Sequence, residues 1–291
     1  MFASIQELVS IAQEQDLPIS EIMIRQEMER YNESRKQVWH RMSQNLDAMD
    51  KAVLKGSTGK GVFSSTGLTG GEAALIRDYR SRHVSLSGDT MLAAVQAAMA
   101  TNEVNASMGV ICATPTAGSS GTLPGVLAAL KKRIDLDRDG QIRFLFTAGA
   151  FGLVTANNAM IAGATGGCQA EVGSASAMGA AAAVEAAGGD PPTCAEAFAI
   201  AMSNLLGLVC DPVAGLVELP CVKRNAIGAA NALIAADIAL AGGSNKIPAD
   251  EVIEAMHEVG MALPSSLRET GIGGLAGTKT GQGFRKTIFG Q

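Results

Sequence analysis

Aromatic side chains are scarce in this 291-residue chain, at 4% of the sequence with one Trp and two Tyr. The core must be aliphatic, and 47% hydrophobic against 18% charged residues leaves ample material for one. The scarcity also removes the stacking platforms of single-strand-binding surfaces, and a net charge of −5 removes attraction to phosphate, so no nucleic-acid partner is expected. Histidine is rarer still. His40, His83 and His257 are the full set, and none stands in an HExxH or His/Cys pattern. No Gly-x-Ser-x-Gly elbow is present. The chain opens MFASIQE, without the basic and apolar regions of an export leader, so a cytoplasmic protein is expected. No membrane partner is expected either. The best membrane candidate, residues 226–242, is mostly alanine and contains Asn231 and Asp237, which reads as a buried helix.

What is present is helical patterning rich in alanine and glycine. No segment shows sustained period-two alternation, and neither an internal repeat nor a heptad run is found, so the expected fold is all-α. A short amphipathic helix is expected over 2–16. Ser20 is expected to cap a long polar helix to about residue 54, with Ile22, Met28, Trp39, Met42 and Leu46 packing inward. Residues 1–55 thus read as an N-terminal helical arm, and 56–291 as a helical catalytic domain of buried small-residue helices, the two forming one structural unit. The Gly/Ser/Thr loop at 56–71 departs from a phosphate loop because Gly61 follows Lys60. Thr69 and Glu72 form a capping-box pattern, as do Thr193 and Glu196. Further helices are expected over 90–102, 124–133, 141–160, 173–187, 194–209, 222–241 and 249–262.

Five cysteines in such a chain favour metal binding or catalysis over a disulfide framework. Three of them, Cys168, Cys210 and Cys221, fall at breaks in the helical pattern among glycines and prolines. Cys168 is expected just before a helix and Cys221 at the start of another, where the positive dipole end favours a thiolate or an anionic cluster. Cys210 is expected to end its helix, with Asp211-Pro212 turning the chain. Three thiolates can hold an iron–sulfur cluster and leave one iron without a protein ligand, a Lewis acid. The plain alternative is that they are buried core residues, which is the expectation for Cys112 and Cys194. Structural zinc would want a fourth ligand.

The loop Thr114-Pro115-Thr116-Ala117-Gly118-Ser119-Ser120-Gly121 offers hydroxyls and backbone N–H groups before a helix start, a cradle for a carboxylate or else a simple interhelical turn. Residues 135–146 begin like an EF-hand loop, but Phe146 occupies the position of the bidentate Glu, so a solvated turn is expected. Of the histidines, His83, near Arg82 and Ser85, is the best candidate for a site residue.

At these residues the sequence resembles the iron–sulfur-dependent L-serine dehydratases. The likeness is carried by the Thr114–Gly121 loop, by GCQAEVG at 167–173, by LGLVCDPVAGLVELPCVKRNAIG at 206–228, and by LRET at 267–270 with GGLA at 273–276. It spans roughly residues 55–277. Length and the missing extra lobe are similar to the α chain of the two-chain form, so the resemblance implies a β chain as partner. It implies an all-helical catalytic fold and L-serine as substrate, deaminated to pyruvate and ammonia without pyridoxal phosphate. It also implies a [4Fe–4S] cluster on Cys168, Cys210 and Cys221. Thr114, Thr116, Ser119 and Ser120 are then candidates to hold the substrate's carboxylate or ammonium, with Asn157 or Asn158 assisting. Two departures stand out. Residues 277–291 hold no cysteine, whereas single-chain members carry one near the C-terminus that reaches the fourth iron. The histidine-bearing Ser-His-Thr motif of single-chain members is absent as well, which brings in proton transfer from the partner chain. The competing readings are a helical binding or regulatory subunit with structural cysteines, and an iron–sulfur hydro-lyase for another hydroxy acid.

Overall fold

The structure, a computed structural model, describes residues 2–290. Among these it contains thirteen α-helices and no strand, only isolated bridges at Phe63–Gly70 and Cys210–Arg268. The fold is all-α, as the absence of period-two patterning predicts. In chain order the helices are α1 (Ile5–Glu14), α2 (Ile19–Tyr31), α3 (Arg35–Ser57), α4 (Glu72–Arg82), α5 (Asp89–Ala106), α6 (Thr122–Arg133), α7 (Arg138–Asn158), α8 (Gly163–Gly166), α9 (Ser174–Ala186), α10 (Pro191–Ser203), α11 (Cys221–Leu240), α12 (Ala249–Ala262) and α13 (Lys279–Phe289). None among the described residues is long and apolar enough to cross a membrane.

The axis of the bundle is α9, packed against α7, α10 and α11, with every residue from Ser174 to Val184 buried. A helix covered all round must present small side chains if its neighbours are to approach closely, and SASAMGAAAAVEA does so. The larger volumes come from Phe144, Phe146, Phe151 and Phe198, all fully buried, with Phe151 and Phe198 stacked at 5.3 Å between centroids. Each such ring contributes roughly 2–3 kcal/mol by leaving water. Residues from α1, α2 and α3, including Ile5, Leu8, Ile24, Val38 and Leu46, belong to this same core.

Several boundaries differ from the sequence expectations, and each difference has a cause. The long helix expected from 20 to 54 is two helices, because Asn32 takes a left-handed conformation (φ 50°) and Ser34 caps α3 in a capping box with Gln37. Ser20 is not a cap. It lies buried inside α2, and the Glu185 carboxylate of α9 accepts from its N–H at 3.2 Å. The Thr69 capping box does not form either: Glu103 of α5 accepts from the Glu72 and Ala73 N–H groups at 2.8 and 3.2 Å. Asp250 does the same for α1, accepting from Ile5 and Gln6 at 2.7 and 2.9 Å. The helix expected at 194–209 starts at Pro191, capped by Asp190 rather than Thr193, and ends at Ser203. Asp137 caps α7 and so explains the acidic turn at 135–139. Helix α13, capped by Thr278, has no counterpart among the expected helices.

Candidate active site

Each of the three cysteines reaches the site from a different local structure. Cys168 immediately precedes a single π-helical turn, Gln169–Gly173, that runs directly into α9. π turns inside helices recur at functional sites because they re-aim side chains. Cys221 is the first residue of α11. Cys210 does not end a helix as expected. It lies seven residues beyond α10 in an extended stretch, its N–H donating to the Leu267 carbonyl at 2.8 Å and its carbonyl accepting from Glu269 at 2.7 Å. Cys168 and Cys210 pack together against Val172, and all three sulfur-bearing residues are buried, at 3%, 3% and 8% exposure.

A buried polar frame holds these pieces in place. Gln169 accepts from the Gly207 N–H at 2.8 Å and donates to the Met256 carbonyl at 3.0 Å, and its own N–H donates to Leu208, so Cys168 and the approach to Cys210 are tied together. Arg224 straddles Cys210, donating to the Val209 carbonyl at 2.7 Å and pairing with Asp211 at 2.8 Å. Asp211 in turn accepts from the Leu275 N–H at 2.7 Å. At Gly274 (φ 57°) a Cβ would collide with that carboxylate, so glycine is required. Asn225 joins α11 to the Ser/Thr loop. Its amide donates to the Gly118 and Cys221 carbonyls at 2.7 and 3.0 Å, and its oxygen accepts from the Gly121 N–H and the Thr122 hydroxyl.

Burial pushes all three thiols up, Cys168 to about 11 despite the Arg224 guanidinium beside it. At neutral pH they are therefore thiols, and a bound metal is what would draw them into thiolates. Among the described residues no three Cys, His, Asp or Glu side chains stand close enough to share one metal ion. The cysteines nonetheless sit near enough to raise one another's pKa. Three buried soft sulfurs with a guanidinium beside one of them are donors of the type that iron–sulfur clusters take.

The Ser/Thr loop meets this sulfur site through Glu171, a residue the sequence reading left without a role. Thr116 donates to the Glu171 carboxylate at 2.8 Å and shares a hydrogen bond with Ser119, whose hydroxyl donates to the Thr114 carbonyl at 2.9 Å. Burial raises the Glu171 pKa, the Thr116 hydrogen bond opposes this, and nearby Glu269 adds to the rise. A Cβ placed on Gly163 would stand 2.8 Å from the Glu171 carboxylate and 2.9 Å from the Cys210 sulfur, so both pack against the same glycine backbone. The hydroxyls of Thr114 and Ser120 are buried and have no hydrogen-bond partner.

The other candidates lie apart from these contacts. Asn157 is exposed, and Asn158 donates to the Ala3 carbonyl. His83 is exposed at the end of α4, its ring stacked on Tyr79 at 4.9 Å. His40 and His257 are exposed as well. Cys194 is fully buried in α10, whereas Cys112 is only half-buried. Glu171 sits within GCQAEVG and Arg224 and Asn225 within the long cysteine run, so their nearness in sequence to cysteines was the available signal.

Comparison with known proteins points to one family. The model of the serine dehydratase alpha chain family matches residues 14–276, so the likeness begins within the first helices and not at residue 55. The chain is 59% identical over 290 residues to the probable L-serine dehydratase alpha chain of Bacillus subtilis, covering 100% of this chain and 96% of that one. It is 42% identical over 289 residues to the L-serine dehydratase alpha chain of Peptoniphilus asaccharolyticus, covering 99% of each. Against L-serine dehydratase 1 of Escherichia coli the identity is 35% over 280 residues, 94% of this chain but 61% of the longer protein. The chain belongs to the serine dehydratase alpha chain family.

Proposed function

We propose that this member of the serine dehydratase alpha chain family is the catalytic chain of an L-serine dehydratase, eliminating water from L-serine on the way to pyruvate and ammonia. The observation that carries the reading is that Cys210 and Glu171, the latter bonded to Thr116 of the hydroxyl-bearing loop, pack against the same backbone at Gly163, with the buried Cys168 and Cys221 near Cys210. Cys168, Cys210 and Cys221 would hold a [4Fe–4S] cluster. When bound, it supplies a Lewis-acidic iron that stabilises a departing hydroxide and makes the neighbouring carbon–hydrogen bond more acidic.

The chain's own residues then have separable tasks. Arg224, fixed by Asp211 and the Val209 carbonyl, places positive charge beside Cys168, where ionised sulfur needs it. Gln169 and Asn225 hold the sulfur-bearing segments and the loop in register. The unpartnered hydroxyls of Thr114 and Ser120 offer a substrate carboxylate donors that are already desolvated, and the start of α6 adds its dipole. The buried walls exclude water from the reacting atoms. All three histidines are exposed, so a proton-transfer group is assigned to a β chain, the partner implied by the alpha-chain names of the relatives. A β chain would also stand in for the part of the Escherichia coli protein that this chain does not cover. Free thiols throughout suit a reducing cytoplasm.

Anaerobic purification with the co-expressed β chain, followed by iron and sulfide analysis and serine turnover, tests the proposal. The expected result is bound iron and sulfide with serine turnover in the wild type, and loss of both in Cys168→Ala, Cys210→Ala and Cys221→Ala. Wild-type turnover by an iron-free Cys168→Ala protein would sink the cluster assignment. A wild type that binds no iron and only takes up ligand would favour the binding-subunit reading.

A further inference from the structure

Glu171 is a carboxylate that the chain largely buries and leaves without a cation. Its partners are neutral, the Thr116 hydroxyl and the Gly163 backbone N–H, and among the described residues neither it nor Glu269 forms an ion pair. Arg224, the guanidinium beside Cys168, is committed to Asp211, and Arg268 donates to the Leu263 and Met261 carbonyls. An anion held away from water with no counter-charge is costly unless something arrives to pair with it. The fold spends further structure on keeping this one in place. Gly118 and Gly163 both lack the Cβ that would stand 2.9 and 2.8 Å from its Oε2. In the same hydrogen-bonded loop the Thr114 hydroxyl is more than nine-tenths buried and has no partner, a polar group whose burial calls for a ligand to meet it.

We infer that Glu171 receives the α-ammonium of the substrate, Thr116 holds it in position, and Glu269 deepens the negative potential, so that this site selects α-amino acids over hydroxy acids of the same size. The inference rests on the serine dehydratase reading above and names the group that sets its substrate class. An ammonium would form a charge-assisted hydrogen bond to Glu171 and recover the desolvation that the carboxylate suffers in the empty site. The same carboxylate repels the substrate's own carboxylate. It therefore fixes orientation, directing that group toward the Thr114 and Ser120 hydroxyls. Glycerate, in which a hydroxyl replaces the ammonium, would leave Glu171 buried and unpaired, the circumstance in which a polar site rejects an analogue most strongly.

The test uses the iron-loaded enzyme with its β chain and compares L-serine (KM) with L-glycerate (Ki as competitor). Iron content and the visible spectrum of the cluster serve as independent readouts. In Glu171→Gln the KM for L-serine is expected to rise about 10- to 100-fold, the loss of one charge-assisted hydrogen bond, with glycerate binding unchanged or tighter and iron retained. Thr116→Val keeps the carboxylate but frees it, and a smaller rise of the same sign is expected. An unaltered serine-to-glycerate ratio in both variants would overturn the assignment, as would a Glu171→Gln protein that loses its iron and both ligands together. If Glu171→Gln does not fold, the ratio in Thr116→Val decides. An iron-loaded wild type with no affinity for L-serine would overturn the parent reading. Normal wild-type turnover with unchanged ratios in the variants would remove only the ammonium site.

Discussion

The layer formed by α1, α2 and α3 and the cysteine-bearing end of the bundle are both dense in polar contacts, yet they spend them differently. On the layer, Arg35 forks onto Glu21 at 2.6 and 2.8 Å, and Arg41 reaches Glu27 and Glu33, all within a few turns of each other and partly exposed. At the cysteine end, Asn225 and Gln169 are fully buried and Asp211 nearly so, and they bind backbone distant in sequence. Water can replace the first kind of contact when it breaks. It cannot replace the second, so each buried group must meet its partner or cost the full desolvation. The contrast is between contacts that decorate a surface and contacts that specify a geometry.

Removing Asn225 should give the largest stability effect. Asn225→Ala strands the Gly118 carbonyl and the Gly121 N–H in the interior, and a loss of about 3–4 kcal/mol is expected in chemical denaturation. A loss below about 1 kcal/mol would erase the distinction between the two regions.

Glu103 gives an intermediate test, because it is a buried cap whose charge is expensive. Burial pushes its carboxyl from the ordinary 4.5 up to about 7. Between those values the folded chain keeps a proton that the unfolded chain releases, so this group makes stability fall as pH rises from about 4.5 to about 7, and adds no slope above. In Glu103→Gln that part of the decline should vanish from the melting temperature measured across this range, while the amide oxygen still accepts from the Glu72 and Ala73 N–H groups. An unchanged slope would mean that the charge on Glu103 is met by contacts other than these two.

The smallest effect belongs to the surface. Arg35→Ala removes a two-pronged pair with Glu21, and a cost of no more than about 1 kcal/mol is expected, shrinking further in high salt. A cost rivalling that of Asn225→Ala would show that the layer, too, is held by specific geometry.

The same division explains what could be read from the sequence. Helices whose caps are local were within reach: Ser34 with Gln37, Asp137 and Thr278 each satisfy an N–H three residues on. Asp190 won over the Thr193 pattern because the prolines at 191 and 192 fit the first turn, where no N–H is needed. At α2 and α4 the first N–H groups are met instead by Glu185 and Glu103, 165 and 31 residues away, and Asp250, 245 residues away, supplements the local Ser4 cap of α1; no local window contains these carboxylates. Within the candidate site the cysteines were legible as a chemical type placed at helix breaks. Glu171 was passed over because its neighbours in sequence do not reveal that Thr116 would meet it, and Asn225 because one amide in an alanine-rich helix looks incidental.

By itself the sequence determined the helical class, the small-residue interior of α9, the inventory of sulfur and hydroxyl groups, and the family likeness. These follow from composition, from the 3.6-residue period and from short motifs, all of them local properties of the chain. Only the tertiary structure decided which groups share a space: that Cys210 lies on an extended stretch clasped by Leu267 and Glu269, that Arg224 is taken by Asp211, and that Glu171 is left facing the sulfur site without a cation. The physical reason is burial. A polar group's partner, charge state and cost depend on what excludes water from it, and that is set by helices packed together from far apart in the chain.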